Sequence, residues 1–454
     1  MINRRDLLRS AIGGAIAASA PRALLALDGL AKSERTDRPH LTNAIRAANW
    51  IKRSRMVTEH GVAWPADPLD PKSVSTTLYS GTPGVVLFLL EMHAATGTRE
   101  YLDDACAGAD YIAATMPADD APGECGLYEG TAGHAFVLEQ VWRASGRATY
   151  HEAARRAVAR IYRRAESKDG GVQWSDSTDI ISGASGTGLF LLAWAAANQD
   201  ADSRALAIKA GRRMLDLAQP APSGLMWRMD PSFVRIMPNF SHGTAGVSYF
   251  LATLNRHTGE AAFRNAAVAG AKHLQAIAKT DDDACVIYHH NGDGEHLFYL
   301  GWCHGPVGTA RLFQQLAVVT KDAAWSGWVR RSARGISARG IPEKRTPGFR
   351  NNMSQCCGDA GVSQFFLDLH HTYGDPADLA YARRVAADVM LRSTAEGDGL
   401  KWVQAENRTQ PENLVAQTGF MQGAAGAGML FLRLDGVDAK RAPRVLFPDT
   451  PFGV

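Results

Sequence analysis

The sequence lacks the features that would place it across a membrane or on nucleic acid. No segment approaches the roughly 20 apolar residues that a membrane-spanning helix requires. There is no block of Lys and Arg with interleaved aromatic residues, and the formal net charge is only +3 over 454 residues. This near balance argues against a nucleic-acid partner. The chain is 46% hydrophobic and 21% charged, which is typical of a globular protein with a large core.

Cysteine is also scarce, and its placement is uneven. The six cysteines include no Cys-x-x-Cys pair. Cys303 stands in "GWCHG", and Cys356 and Cys357 stand in "QCCG", each immediately before a Gly-x-x-Gly step. Cys106, Cys125 and Cys285 lie outside such steps. The first three are therefore candidates for one metal site, with buried cysteines or disulfides as the alternatives.

The first 31 residues have the composition of an export signal. Arg4 and Arg5 precede two leucines and a stretch rich in Gly and Ala, which ends in the small residues Ala18-Ser19-Ala20, as a signal peptide does before its cleavage site. This pattern predicts a twin-arginine-type signal, and hence a periplasmic or extracellular protein. A basic first helix of the mature domain is the alternative interpretation. We accordingly predict one folded domain over residues 38–454.

Seven short blocks repeat along the rest of the chain. Each consists of Gly-x-x-Gly followed by a strongly apolar run, and successive first glycines are separated by between 49 (Gly81 to Gly130) and 65 residues (Gly358 to Gly423). Amphipathic segments such as "YHEAARRAVARIYRRAES" lie between the blocks. The pattern predicts an all-α protein, an α/α toroid with seven inner and seven outer helices.

A tryptophan recurs between several outer helices and the next glycine block. The four stretches are "GVAWPAD" at Trp64, "GVQWSDS" at Trp174, "GLMWRMD" at Trp227 and "GLKWVQA" at Trp402. Their alternation predicts short extended segments whose tryptophans pack beneath a loop. A ring of tryptophans around an open pocket mouth is the alternative.

The repeat brings distant residues together at one end of the ring. Because each glycine block opens an inner helix, the residues just before the glycines arrive near the axis. Cys303, Cys356 and Cys357 are among them, at helix N-termini that favour thiolates. Three thiolates with a fourth position left open suit a catalytic zinc ion.

These motifs resemble the lanthionine synthetase C-like family, whose cyclases form thioether bridges in lanthipeptides. The resemblance rests on the seven Gly-x-x-Gly blocks, "GWCHG" and the following "CCG", and extends over about residues 40 to 435. It implies an α/α toroid with a single zinc ion held by Cys303, Cys356 and Cys357. It also implies that His242 of the "SHG" block is a catalytic histidine and that Asp179 of "TDIISGASG" is its aspartate. Cys357 stands where histidine is usual, although a three-cysteine version is known among fused synthetases.

The implied reaction is zinc-assisted addition of a thiol to dehydroalanine or dehydrobutyrine, with a peptide cysteine or a small thiol as the nucleophile. His242 would transfer a proton and Asp179 would orient it. Two other interpretations stay open: a carbohydrate enzyme of the same architecture with Asp179 and Glu129 as its acid/base pair, and an exported zinc-containing protein that only binds peptides. The roles of His304, His289 and His290, and the oligomeric state, are left unassigned by the sequence.

Overall fold

The computed structural model describes residues 38–118, 121–345, 352–406 and 408–453. The predicted export signal lies outside this range, so that assignment stays a prediction. Within the described residues there are fourteen α-helices and six two-stranded antiparallel hairpins. None of these helices is both long enough and apolar enough to cross a membrane.

Seven of the helices form the inner layer. Each is 15 residues long and follows directly on the first glycine of a block, as predicted: Thr82–Thr96, Thr131–Ser145, Ala184–Asn198, Thr244–Thr258, Pro306–Thr320, Asp359–Tyr373 and Ala424–Asp438. Their side chains are buried on nearly all sides, because other helices cover both their faces. In Thr82–Thr96, for example, every residue from Val85 to Leu90 is buried.

The outer helices each expose one face to solvent. They are Pro39–Arg53, Arg99–Thr115, Ala148–Arg163, Ala201–Asp216, Ala261–Ile277, Ala323–Ser337 and Pro376–Leu391. In Ala148–Arg163 the buried apolar residues recur at spacings of three and one, as in Ala153, Ala154, Ala157 and Val158. This stripe faces the inner layer, and Arg155 and Arg156 between its members face water.

The helices close into a ring. Every inner helix contacts the next one along the chain, and Ala424–Asp438 contacts Thr82–Thr96. Each outer helix packs on the inner helix that precedes it, except Pro39–Arg53, which packs on Ala424–Asp438. Arg38 and Asp435 pair across this closure, with Nε and Oδ1 2.8 Å apart. The predicted α/α toroid is confirmed.

Short hairpins follow five of the outer helices. Their strands are Met56–Thr58 with Gly61–Ala63, Glu166–Lys168 with Gly171–Gln173, Gln219–Ala221 with Gly224–Met226, Lys279–Asp281 with Ala284–Val286, and Thr394–Glu396 with Gly399–Lys401. A sixth pairs Val403–Ala405 with Leu414–Ala416. Three-residue 3₁₀ turns lie at Pro71–Ser73 and Gly292–Gly294.

The four repeated tryptophans pack inside, as predicted, rather than around a pocket mouth. Trp64, Trp174, Trp227 and Trp402 are all buried. Each indole N–H donates to a carbonyl near the end of the preceding outer helix, 13 residues earlier in the chain. These bonds satisfy carbonyls that a helix end leaves without a partner. The hairpins thus tie the outer helices to the loops that lead inward.

Candidate functional site

The loops before the seven inner helices are joined by a closed circle of backbone hydrogen bonds. Each loop donates an N–H to the next loop, always to the carbonyl of the residue two positions before the first glycine, at 2.8 to 3.1 Å. We call the seven residues that supply these carbonyls the belt: Tyr79, Tyr128, Ile181, Ser241, Cys303, Cys356 and Met421. The belt brings residues more than 300 positions apart into one ring around the axis.

Position within the repeat decides where each side chain lies. The belt residues lie two positions before the glycine, and all but Tyr79 are buried. One position later the side chains come closer to solvent, as for His242, His304 and Cys357, although Gln422 is buried. Cys303 and Cys356 are therefore equivalent belt residues, whereas Cys357 is equivalent to the two histidines.

Two glycines allow the cysteine loops to approach this closely. A Cβ atom on Gly301 would lie 2.6 Å from the Cys356 carbonyl oxygen, and one on Gly308 would lie 1.9 Å from that of Trp302. Both distances are far inside van der Waals contact, so no other residue fits without moving the backbone. The Gly-x-x-Gly step thus serves close packing of the loop over its own helix.

The three candidate ligands meet at the axis. Their sulfur atoms all lie within 4.8 Å of one another. Cys357 Sγ is 3.4 Å from Cys303 Sγ and 3.5 Å from Cys356 Sγ. All six cysteines are free thiols, so the disulfide alternative is not realised.

The trio fits a zinc ion. Two thiolates bound to one tetrahedral zinc at about 2.3 Å lie about 3.8 Å apart, close to the observed spacings. Among the residues that the structure describes, this is the single group of three or more His, Cys, Asp or Glu side chains with ligand atoms so placed. Cys303 and Cys356 are buried and Cys357 is partly exposed, which leaves a fourth direction towards the open face.

The three thiols are not electrostatically equivalent. Contacts from the thiols of Cys303 and Cys356 hold the pKa of Cys357 well below its usual range, and the nearby His242 acts in the same direction. Burial raises the pKa of Cys356 well above its ordinary value. Cys357, the thiol nearest the open face, is therefore the first of the three to lose its proton.

His242 and Asp179 form a second pair beside the thiols. His242 Nδ1 lies 2.6 Å from Asp179 Oδ2, and Asp179 Oδ1 accepts the backbone N–H groups of Ser182 at 2.9 Å and Gly183 at 2.8 Å. Asp179 thus accepts hydrogen bonds at both carboxylate oxygens, with His242 Nδ1 as the donor to Oδ2. The His242 side chain is 28% exposed and Asp179 is 1% exposed. The imidazole is thus the more exposed member of the pair, and it lies near enough to Cys357 to lower the pKa of that thiol.

Histidines line one side of this face. His304 stacks on His289 with ring centroids 4.0 Å apart and lies 5.6 Å from His242. Burial lowers the pKa of His304 and lowers that of His289 to about 3. Both rings are therefore neutral near pH 7 and form a wall rather than a charged patch. His290 is buried behind His289, and its Nε2 is 3.0 Å from Asp293 Oδ1.

Glu129 stands one position before Gly130, the N-cap of the helix Thr131–Ser145, and its side chain is exposed. Partial burial and the Asp179 charge raise its pKa, although His242 opposes them. A helix N-terminus alone would lower that pKa.

Four further contacts at the site were not predicted from the sequence. The Gln422 amide donates to Tyr79 Oη at 2.8 Å and approaches Cys357 Sγ at 3.7 Å. From beneath, the Asp449 carboxylate accepts from the Trp302 indole at 3.0 Å and the Tyr128 hydroxyl at 3.2 Å. The repeat brought Gln422 and Tyr79 to this end of the ring without indicating their pairing. Asp449 follows the last helix in a stretch that carries no repeat signal.

Comparison with solved structures shows the fold. The chain superposes on nisin cyclase with a TM-score of 0.63 and 14% sequence identity, over 89% of this chain and 95% of that one. An α-1,6-mannanase of Salegentibacter sp. HEL1_6 gives a TM-score of 0.49 at 11% identity, over 87% and 99% of the two chains. Cellobiose 2-epimerase from Bacillus thermoamylovorans gives 0.46 at 10% identity, over 68% and 89%. The last two likenesses are too distant to bear on function.

Comparison of sequences shows the family. No curated protein matches the chain. The sequence model described as "Lanthionine synthetase C-like protein" matches residues 72–447, which include all seven glycine blocks, the three thiols and the His242–Asp179 pair. The chain belongs to the lanthionine synthetase C-like family.

Proposed function

We propose that this protein is a zinc-dependent enzyme that adds a thiol to dehydroalanine or dehydrobutyrine and so forms a thioether. The observation that carries the proposal is the meeting, at one face of the ring, of three thiols spaced for one metal ion and a histidine oriented by a buried aspartate. Membership of the family and the likeness to nisin cyclase support it.

The residues fit distinct tasks. Cys303, Cys356 and Cys357 would hold the zinc ion. When bound, the ion lowers the pKa of a substrate thiol, which is about 8.5 when free, so that the thiolate forms near neutral pH. The wall of neutral histidines, His289 and His304, leaves the approach to this position uncharged.

The reaction balances without an oxidant or a reductant. The thiol loses its proton, a bond forms between sulfur and the β-carbon of the dehydro residue, and the electron pair of the double bond moves to the α-carbon. A proton is then added at the α-carbon. His242, with Nδ1 engaged by Asp179, has Nε2 free to accept the first proton or to supply the second. Asp179 holds the ring orientation and stabilises its protonated form.

The carbohydrate-enzyme alternative has less support at this site. Its acid/base pair would be Asp179 and Glu129. However, one Asp179 oxygen accepts two backbone N–H groups and the other pairs with His242. A carboxylate engaged at both oxygens and 1% exposed has no atom free to meet a glycosidic bond. Glycosidases also make no use of a buried thiol trio.

The proposal is tested with a peptide that contains one dehydroalanine and one cysteine. Zinc-loaded protein should consume the free thiol at unchanged peptide mass, and with a separate small thiol the mass should increase by that thiol. Chelation of the zinc should abolish both reactions. Zinc-loaded protein that binds the peptide but leaves its thiol untouched would instead establish the peptide-binding alternative, and cleavage or epimerisation of oligosaccharides would establish the carbohydrate enzyme.

A further inference from the structure

The segment after the last inner helix runs into the ring from the end opposite the thiols. Val445, Asp449 and Phe452 are buried. Glu91 of the first inner helix accepts the backbone N–H groups of Arg444 and Val445, at 3.0 to 3.2 Å. We call residues 441–453 the axial segment.

Aromatic contacts hold the axial segment on the axis. Phe447 packs against Phe420 with ring centroids 4.9 Å apart, against Phe136 at 5.6 Å and against Tyr128 at 6.3 Å. Phe452 packs against Phe365 at 5.8 Å. Since these partners come from three different blocks, the segment contacts the inner layer at several points around the ring. It lies within the ring beneath the belt, where part of it lines a cavity.

Asp449 lies at the top of this segment, directly beneath the belt. Its Oδ2 accepts from Trp302 Nε1 at 3.0 Å and from Tyr128 Oη at 3.2 Å, and its carbonyl oxygen accepts from Arg311 Nη1 at 2.7 Å. At 1% exposure, a carboxyl group needs such donors, because a buried polar group without a hydrogen-bond partner is costly. Hydrogen bonds to an ionised acceptor are the stronger kind.

We propose, on the basis of the zinc site of the proposed function, that Asp449 is a positioning residue for that site and acts through Trp302. Trp302 precedes Cys303, and its backbone N–H donates to the Cys356 carbonyl at 2.8 Å. A displaced indole would therefore move two of the three ligand-bearing positions. Outer partners that orient metal ligands typically contribute 10- to 100-fold in metal affinity.

The test is the zinc affinity of the full chain, measured by competition with a chromophoric chelator. Asp449→Asn, which keeps the size of the side chain but removes its charge, should weaken zinc about 10- to 100-fold. The absorption bands of thiolate-bound cobalt in the same variant should shift. Asp378→Asn is the matched control, because Asp378 is a buried carboxylate that pairs with Arg330 at 2.6 Å in the outer layer. It should lower thermal stability yet leave both metal readouts unchanged.

A second variant identifies the route. Trp302→Phe removes the indole N–H but keeps the ring, so it should weaken zinc in the same way as Asp449→Asn. If Asp449 acts through Trp302, the double variant should be no weaker than the stronger single variant. If the losses of zinc affinity in the two single variants add fully in the double variant, the proposal is overturned. It is also overturned if Asp449→Asn keeps the zinc affinity and the cobalt bands of the wild-type protein. Should Asp449→Asn not fold, Trp302→Phe with the Asp378→Asn control decides alone.

These outcomes separate the positioning role from the proposed reaction. Wild-type protein that binds zinc but forms no thioether, together with weakened zinc in Asp449→Asn, rejects the reaction and retains the positioning role. Wild-type protein that takes up no zinc rejects the reaction. The positioning role then depends on the alkylation rate of Cys303 relative to Cys285, which Asp449→Asn should change several-fold. An unchanged ratio would reject that role as well.

Discussion

The six cysteines divide into two sets of three, although five of the six are buried. The axial thiols, Cys303, Cys356 and Cys357, come from two loops of the belt and bring their sulfurs within 4.8 Å. The scattered thiols, Cys106, Cys125 and Cys285, belong to an outer helix, a loop and a hairpin strand. Cys285 Sγ has as its neighbour a hydroxyl, Ser332 Oγ at 3.7 Å. Burial alone therefore does not identify a ligand; an equivalent position in a closed repeat does.

The largest expected difference between the two sets is in metal content. Cys303→Ala should reduce bound zinc from about one ion per chain to near zero, because two remaining thiolates cannot complete the ligand set. Cys285→Ala should keep the full content. Metal analysis of both purified variants checks this. Equal zinc in the two variants would place the metal elsewhere, and a metal-free wild-type protein would remove the zinc site altogether.

The next effect separates chemistry from metal binding. His242→Ala should slow thiol addition by about 10²- to 10⁴-fold, the usual contribution of a proton-transferring side chain, at unchanged zinc content. His296→Ala is the matched control, since this histidine is exposed on the same end of the ring. The rate of thioether formation on the dehydroalanine peptide measures both. An unaltered rate in His242→Ala would exclude it from proton transfer.

Thiol reactivity should separate Cys357 from the three scattered thiols by roughly 100-fold. Burial raises the pKa of Cys125 to about 11 and also raises those of Cys106 and Cys285. These thiols are therefore protonated at pH 8, and their alkylation should accelerate about tenfold for each pH unit until the pKa is reached. Cys357, whose pKa is lowered, should react first in metal-free protein. Mass-spectrometric labelling from pH 7 to 10 tests this order.

Zinc should protect the axial thiols in that same labelling experiment and leave the scattered thiols as they were. If metal slows alkylation of all six alike, it acts by tightening the whole fold, and the distinction between the two sets fails.

The smallest effect concerns the scaffold outside the site. Trp227→Phe removes the N–H that satisfies the Met214 carbonyl at 2.7 Å and should cost about 1 to 3 kcal/mol of stability. Zinc affinity should stay unchanged, because the lost bond lies at an outer helix end. Denaturant unfolding and chelator competition measure the two quantities. A parallel loss of zinc would show that the hairpins help to shape the belt.

The repeat explains why so much of the ring could be predicted. Gly-x-x-Gly marks each helix start, and a carbonyl under the second glycine, such as that of Trp302 under Gly308, excludes other residues. The apolar run and the amphipathic segment then distinguish inner from outer helices. The convergence of Cys303 with Cys356 follows from this regularity alone, since both stand two residues before a glycine.

The parts that escaped prediction have no repeat to reveal them. The axial segment is short, irregular and rich in proline, so the sequence does not distinguish an exposed tail from a buried core element. The pairing of Gln422 with Tyr79 depends on the closure of the ring, which puts the last loop next to the first. The stacking of His289 on His304 depends on how a loop folds back, which spacing does not determine.

The seam where Pro39–Arg53 packs on Ala424–Asp438 has a consequence for synthesis on the ribosome. Arg38 and its partner Asp435 are 397 positions apart, so the earliest of the described helices to emerge is the last of them to find its neighbour. Until then its apolar stripe stays uncovered, and the six helix pairs made in between can assemble only as an open arc. Vectorial folding of residues 38–438 thus ends by joining the first described helix to the last.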